Sequence, residues 1–423
     1  MTETVFPKHS SWAGARRYDL DWLRILALAV LIFYHIGMYY VADWDWHVKS
    51  TQTYGWLQDL MILTNPWRMS LLFLLSAMAL SLAQQHIGSA RLFQLRSRRL
   101  FMPLLFGMFV VVVPQVYFEA LSQQLIEPGY LQFWWQYINP QTGLLPEHHS
   151  PIGLLTWNHL WFLPYVWCYS MLLLLGRVPL NRFAKSRFVQ QLPARYALLM
   201  VLLLLGISWY WLRQVFPTTH ALLDDWYNHA KYFAVFVAGY LLAQQQQWWA
   251  ALVRHRRLFF VLALLCYALI ILDKHDVFEP YASKFDELLL VRLCYAAVVA
   301  LNHWCWLLLV LGYAGRYLNR PVNAIDRKGA IYRYGSPAIL PWYLLHQTLI
   351  VVFASWLKPL AIPAGLEVWL LLLLTITGCA LGYWLIRVVP LLSWCCGLAT
   401  AKNVGQKTDS EQMFTGKDSV KTG

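Results

Sequence analysis

This chain is short of charge. Only 13% of its 423 residues are Asp, Glu, Lys or Arg, about half the share that a soluble globular protein carries. Acids are the scarcer sign, 21 against 34 Lys and Arg. A water-facing surface over most of the chain is excluded. Cysteine is sparse too: seven residues, an odd number, with no metal or redox spacing. Cys168, Cys266, Cys294, Cys305 and Cys379 fall in apolar runs, where thiols behave as small core side chains, and Cys395-Cys396 follows the last run. No disulfide and no metal site is expected. No polar stretch is long enough to fold as a soluble domain of its own.

Apolar residues are what the chain has in quantity, 59% of the total, with mean hydropathy +0.44. Runs of about 20 such residues each cross roughly 30 Å of hydrocarbon. The chain therefore reads as an all-α polytopic membrane protein with about ten transmembrane helices. They are expected at residues 20–41, 66–84, 100–120, 159–177, 195–213, 231–248, 258–273, 287–313, 337–357 and 367–387. The first run is too long for a cleaved signal peptide and carries Arg24.

The net charge of +13 does not point to nucleic acid, because of where it lies. Of 34 Lys and Arg, 25 fall in the N-terminal segment, the even-numbered loops and the C-terminal segment. Six fall in the odd-numbered loops (Lys49, Arg213, Lys231, Lys274, Lys284 and Lys358), and Arg24, Arg68 and Arg292 lie in or at spans. Positive residues mark the cytoplasmic side, so both termini are expected inside. Residues 1–18 form a cytoplasmic N-terminal segment, 19–398 the transmembrane domain, and 399–423 a polar, disordered cytoplasmic tail. The outward loop 121–158 contains Phe133-Trp134-Trp135-Gln136-Tyr137, which reads as an interfacial aromatic belt or a stacking platform for sugar rings. No solenoid or inverted repeat is evident.

Intramembrane polar residues are the candidates for chemistry. An arginine at a helix centre costs roughly 2.5–3.5 kcal/mol on insertion scales, so such residues default to function. Asp21-Trp22-Leu23-Arg24 precedes His35 in one span, and positions 24 and 35 are about three turns apart on one face. Asp21 and Arg24 are also spaced to pair. His35 lies about 21 Å across from Asp21, in the outer half. A neutral imidazole there can take a hydroxyl proton as general base, or it can pack against a neighbouring span. Arg68, after Pro66 in the first turn of the second span, is an anion partner or a snorkelling interfacial residue. His159 opens the fourth span, and His346 lies near mid-depth in the ninth. Arg96-Ser97-Arg98-Arg99 is a topology signal whose guanidiniums also suit phosphates. Arg292 and His303 repeat the spacing of the first span and are assigned to packing.

Taken together, these residues resemble the motifs of the acyltransferase 3 family of membrane acyltransferases. Arg24 and His35 are similar to its opening motif, and Trp67-Arg68-Met69 running into Phe73-Leu74-Leu75-Ser76 to its second-span motif. Arg96 to Arg99 with Pro103 resembles its Arg-x-x-Arg loop, and His159-Leu160-Trp161-Phe162-Leu163 and Tyr343-Leu344-Leu345-His346 its later motifs. Five motifs in order cover about residues 18 to 390. Trp46-His47-Val48-Lys49-Ser50 is similar to the glucan biosynthesis protein C branch, which succinylates periplasmic glucans. Ala77 stands where the family usually has Gly.

The resemblance implies a membrane O-acyltransferase of the bacterial inner membrane, moving an acyl group from cytoplasmic acyl-CoA to a hydroxyl of an envelope glycan. Acyl-CoA, which in that branch is succinyl-CoA, is then a co-substrate and no cofactor is bound. His35, Arg68 and His346 take catalytic roles; Arg24, Arg96 and Arg99 serve the acyl-CoA; His159, Trp161 and Tyr343 contact substrate. The competing reading is a transporter using intramembrane His and Arg as a proton or anion relay.

Overall fold

The computed structural model describes residues 17–322 and 326–398. Most of the expected N-terminal segment and the tail from residue 399 lie outside the described residues. Among those described, the secondary structure is helical, with two isolated β-bridges and no strand. The helices are α1 (Tyr18–Tyr40), α2 (Trp56–Ala83), α3 (Ser89–Phe106), α4 (Val113–Ser122), α5 (Tyr130–Ile138) and α6 (Phe162–Leu175). Then come α7 (Arg177–Ala184), α8 (Arg187–Gln191), α9 (Ala194–Leu212), α10 (Trp226–Leu242) and α11 (Gln246–Lys274). The chain closes with α12 (Ala282–Glu287), α13 (Leu289–Tyr317), α14 (Arg327–Leu357), α15 (Ala364–Val388) and α16 (Pro390–Cys395).

Each apolar run of the sequence coincides with a helix. Seven helical stretches are long and apolar enough to cross a membrane, or eight if the pair α6–α7, bent by 75°, is one span. The expected number of about ten goes beyond what length and composition establish. The second span begins earlier than expected: α2 starts at Trp56, so Pro66 lies inside the helix and Arg68 is well past its first turn. Membrane helices tolerate an internal proline because neighbours and adjusted geometry satisfy the freed carbonyl.

The chain forms two compact units, residues 1–95 with 161–336, and residues 96–160 with 337–423. In the first unit, α1 and α2 run antiparallel in a register set by three contacts. The Arg24 guanidinium donates to the Leu75 carbonyl at 3.1 Å, Arg68 lies on the Tyr34 ring, and Gly37 faces Met61. Helices in lipid gain little hydrophobic free energy from meeting one another, so close backbone approach supplies the packing. Gly239 of α10 rests on α2, where a Cβ would sit 2.5 Å from the Leu74 carbonyl oxygen. Gly312 brings α13 onto α11 in the same way, with a Cβ 2.7 Å from the Leu252 oxygen. Around these contacts Leu71, Leu74, Leu75, Trp249, Leu252 and Leu307 form a buried core.

Lys49 closes the C-terminal end of α1. Its ammonium donates to the carbonyls of Met38 and Trp44, each at 2.9 Å, and to that of Val41. These include carbonyls that a helix end leaves without an intrahelical donor. Burial pushes the Lys49 pKa below its ordinary value, opposed by Asp45 and Asp43.

In the second unit a π-helical segment, Gly107–Val111, joins α3 to α4. The Val112 N–H bonds back five residues to the Gly107 oxygen at 2.8 Å. Side chains take three of the carbonyls here: Tyr137 donates to Met108 (3.2 Å), Trp134 to Phe109 (2.8 Å) and Thr348 to Val111 (2.6 Å). The aromatic run expected in an outward loop is the short helix α5. It buries Phe133 and Tyr137 one turn apart and leaves Trp135 68% exposed.

Candidate functional site

The residues singled out from sequence fall into two groups, one in each unit. In the first unit, His35 is half-buried on α1 and its ring centroid lies 5.8 Å from that of Tyr34. Tyr34 carries the Arg68 guanidinium 3.2 Å from its ring centroid. A desolvated cation on an aromatic face gains about 2 kcal/mol, which offsets much of the roughly 2.5–3.5 kcal/mol that an arginine costs at the centre of a membrane helix. The Nη1 of Arg68 donates to Asn65 Oδ1 at 3.0 Å, one helical turn back, while its Nε is buried and donates to no acceptor. Arg68 is therefore fixed in direction and still has bonding capacity.

Trp161 belongs to the same unit. Its indole stacks on the His220 imidazole with centroids 4.1 Å apart, and Tyr232 and Phe73 complete an aromatic wall. His220 lies in the loop that precedes α10. That loop is organised by buried Asp225, which accepts from Tyr165 (2.6 Å), from Asn228 and from the backbone N–H groups of Thr219 and His220. Burial pushes the His220 pKa down to about 4; Asp225 opposes this, and Lys231 and Arg68 reinforce it. Lys231 sits one turn into α10 with its ammonium 4.2 Å from the Tyr232 ring and 5.0 Å from that of Tyr227. Sequence reasoning missed His220, Asp225 and Lys231. The one available signal was a lysine beside an apolar run, and it was absorbed into the topology count.

Arg24 is committed near the N-terminal end of α1. Besides the Leu75 carbonyl, it meets Asp21 at 3.2 Å, and Asp21 accepts from the Tyr332 hydroxyl at 2.5 Å. The pairing foreseen from their spacing is present, and Arg24 also ties α1 to α2. His303, assigned to packing, bonds Ser70 at 2.7 Å with both residues buried.

The second unit holds His159, Tyr343 and His346. The Nδ1 of His346 lies 3.1 and 2.9 Å from the carbonyl oxygens of Trp342 and Tyr343. Only an N–H can satisfy carbonyls, so Nδ1 carries hydrogen and, in the neutral ring, Nε2 carries the lone pair. His159 has the opposite tautomer. Its Nε2 donates to the Leu344 oxygen at 3.1 Å, and its Nδ1 accepts from the Gln115 amide at 3.1 Å. Gln115 also donates to Thr348 (2.6 Å) and accepts from Gln347 (3.2 Å), while Tyr343 donates to the His159 carbonyl (2.5 Å). The two imidazoles stand edge to face, 5.4 Å between centroids. Both nitrogens of His159 and the Tyr343 hydroxyl are spent on this network, which fits them to hold His346 in place. Gln115, the hub, was not singled out from sequence, because a glutamine among apolar residues carries no motif.

On α3, Arg96 and Arg99 are three residues apart and share a helix face; Arg96 is half-buried and Arg99 exposed. Arg98 between them donates to the Leu398 carbonyl at 3.4 Å. Among the described residues no group of His, Cys, Asp or Glu has the arrangement of a metal site.

Comparison with known proteins agrees with these motifs. No curated protein and no solved structure matches the chain. A protein-family model described as an acyltransferase domain matches residues 17–387, nearly the whole described length, and the chain belongs to that family, the acyltransferase 3 family, as a multi-pass membrane acyltransferase of groups other than aminoacyl.

Proposed function

We propose that the protein moves an acyl group, such as succinyl, from cytoplasmic acyl-CoA to a hydroxyl of a periplasmic or cell-envelope glycan, in a bacterial inner membrane. The observation that carries this reading is the seat of Arg68 on Tyr34, next to His35, within a chain of this family. A cation and an imidazole then share one neighbourhood in the outer part of the first unit, the side on which a glycan is met. His35 is the general base. Its neutral imidazole takes the proton of the acceptor hydroxyl as the oxygen attacks the thioester carbonyl. The tetrahedral intermediate collapses, the C–S bond breaks, and the leaving CoA thiolate takes up the proton held by the His35 imidazolium, which restores the neutral base. Arg68, directed by Asn65 and Tyr34, stabilises negative charge carried by the substrate.

His346 serves as a second proton-handling imidazole in its own unit, held by His159, Tyr343 and Gln115. The donor's phosphates are taken by Arg96 and Arg99, whose planar guanidiniums suit phosphate oxygens. Trp161 offers a flat aromatic face to a sugar ring. The glucan biosynthesis protein C branch, with its succinyl group and glucan acceptor, is the specific assignment we favour, on the likeness of residues 46–50.

Mass spectrometry of envelope glycans from cells with and without the gene tests this reading. An acyl mass increment should vanish on deletion and return with the wild-type gene. Glycans of unchanged mass would overturn the assignment of the acceptor.

A further inference from the structure

Arg68 and Lys231 are cations of the first unit seated against aromatic rings. No carboxylate lies within ion-pair distance of Arg68 or Lys231 among the described residues. One aromatic wall links them. Lys231 lies 4.2 Å from the Tyr232 ring, and Tyr232 packs on Trp161, the ring stacked on His220. Phe73, five residues along α2 from Arg68, stacks on the same Tyr232, so the like charges of Arg68 and Lys231 act on each other. The acid that reaches both Lys231 and His220 is Asp225, and its oxygens are already filled by Tyr165, Asn228 and two backbone N–H groups. It contributes field and cannot serve as a ligand. The aromatic rings at Tyr34, Tyr227 and Tyr232 soften the cost of the charges without neutralising them. Arg68 also keeps its buried Nε without an acceptor, although Nη1 is anchored to Asn65.

We propose that Lys231 and Arg68 form a subsite for a carboxylate carried by the substrate, and that Lys231 determines specificity for it. This rests on the acyl-transfer reading and deepens it. A planar two-oxygen anion meets a guanidinium edge with two parallel bonds, which the Nε edge of Arg68 can supply. Lys231 adds a point charge that needs no fixed direction. The carboxylate can sit at the far end of a dicarboxylic acyl group or on the acceptor glycan. In both cases the anion relieves the repulsion between the cations, and an uncharged analogue of the same shape leaves it in place.

The test compares succinyl-CoA with butyryl-CoA as donors, and free succinate with butyrate as ligands, using the purified full-length protein. Wild type should be stabilised by succinate and not by butyrate in thermal unfolding. Lys231→Gln should lose that shift and Lys231→Arg should keep it. If the carboxylate is on the acyl group, wild type prefers succinyl-CoA and Lys231→Gln cuts that preference about tenfold or more. If it is on the acceptor, the donors are used alike while the succinate shift still depends on Lys231. A succinate shift without transfer from either donor would sink the transferase reading and leave the subsite standing. No succinate shift in wild type, or the same shift in Lys231→Gln, would overturn the subsite.

Discussion

The Arg68 guanidinium lies 3.2 Å from the centre of the Tyr34 ring, one residue along α1 from His35. This contact couples the second span to the part of the first span that carries the imidazole. It makes the direction of Arg68 depend on a flat, delocalised cation, which lysine does not reproduce. Arg68→Lys should insert normally and lose acyl transfer by about a hundredfold, the scale of removing one charge-stabilising donor. Transfer assays on matched amounts of membrane protein check this. Activity within a few-fold of wild type would reduce Arg68 to a packing residue.

His220 ties stability to pH. Its pKa in the folded protein, about 4, lies below the ordinary value near 6.5. As pH falls, the unfolded chain takes up the proton first. The folded state therefore loses stability between about pH 6.5 and 4, and nothing changes at this group above that window. His220→Asn should flatten the fall in melting temperature over the same window. An equally steep fall in the variant would place the titrating group elsewhere.

Gln115 satisfies His159 and Thr348 at once and accepts from Gln347. Gln115→Leu strands these partners in a buried setting, at about 1–3 kcal/mol for each unsatisfied group. Expected are a lower unfolding temperature and weaker transfer, with acyl-CoA binding retained. Unaltered thermal unfolding would show that the network does not support the second unit.

Gly239 allows α10 to lie against α2. A leucine there meets the Leu74 backbone, which cannot swing away as a side chain can. Gly239→Leu should sharply reduce the yield of monodisperse protein in size-exclusion chromatography, whereas Gly365→Leu, where a Cβ meets nothing, should not.

The helices were legible in the sequence because each is an apolar run long enough to cross a bilayer, and a run of that kind has no other stable form in lipid. Pro66 misplaced the start of α2, since proline in a helix interior is costly in water and tolerated in a membrane. The Asp21–Arg24 pair was legible from spacing alone. The group around Lys231 was not. It is assembled from the loop before α10, from α10 itself and from α2, and its members are far apart along the chain. Buried Asp225 and the tautomers of His159 and His346 likewise depend on partners that no local pattern announces. Membership of the family fixes the class of chemistry; what each polar residue does there is decided by what it touches.

The account rests above all on His35 as the base. The direct measurement is the rate of acyl transfer from acyl-CoA to glycan by purified His35→Gln and His35→Ala proteins, with acyl-CoA binding measured on the same samples. A loss of about 10²–10⁴-fold in rate with binding and thermal unfolding preserved is the predicted result. Transfer within a few-fold of wild type by a well-folded His35→Gln protein would contradict it.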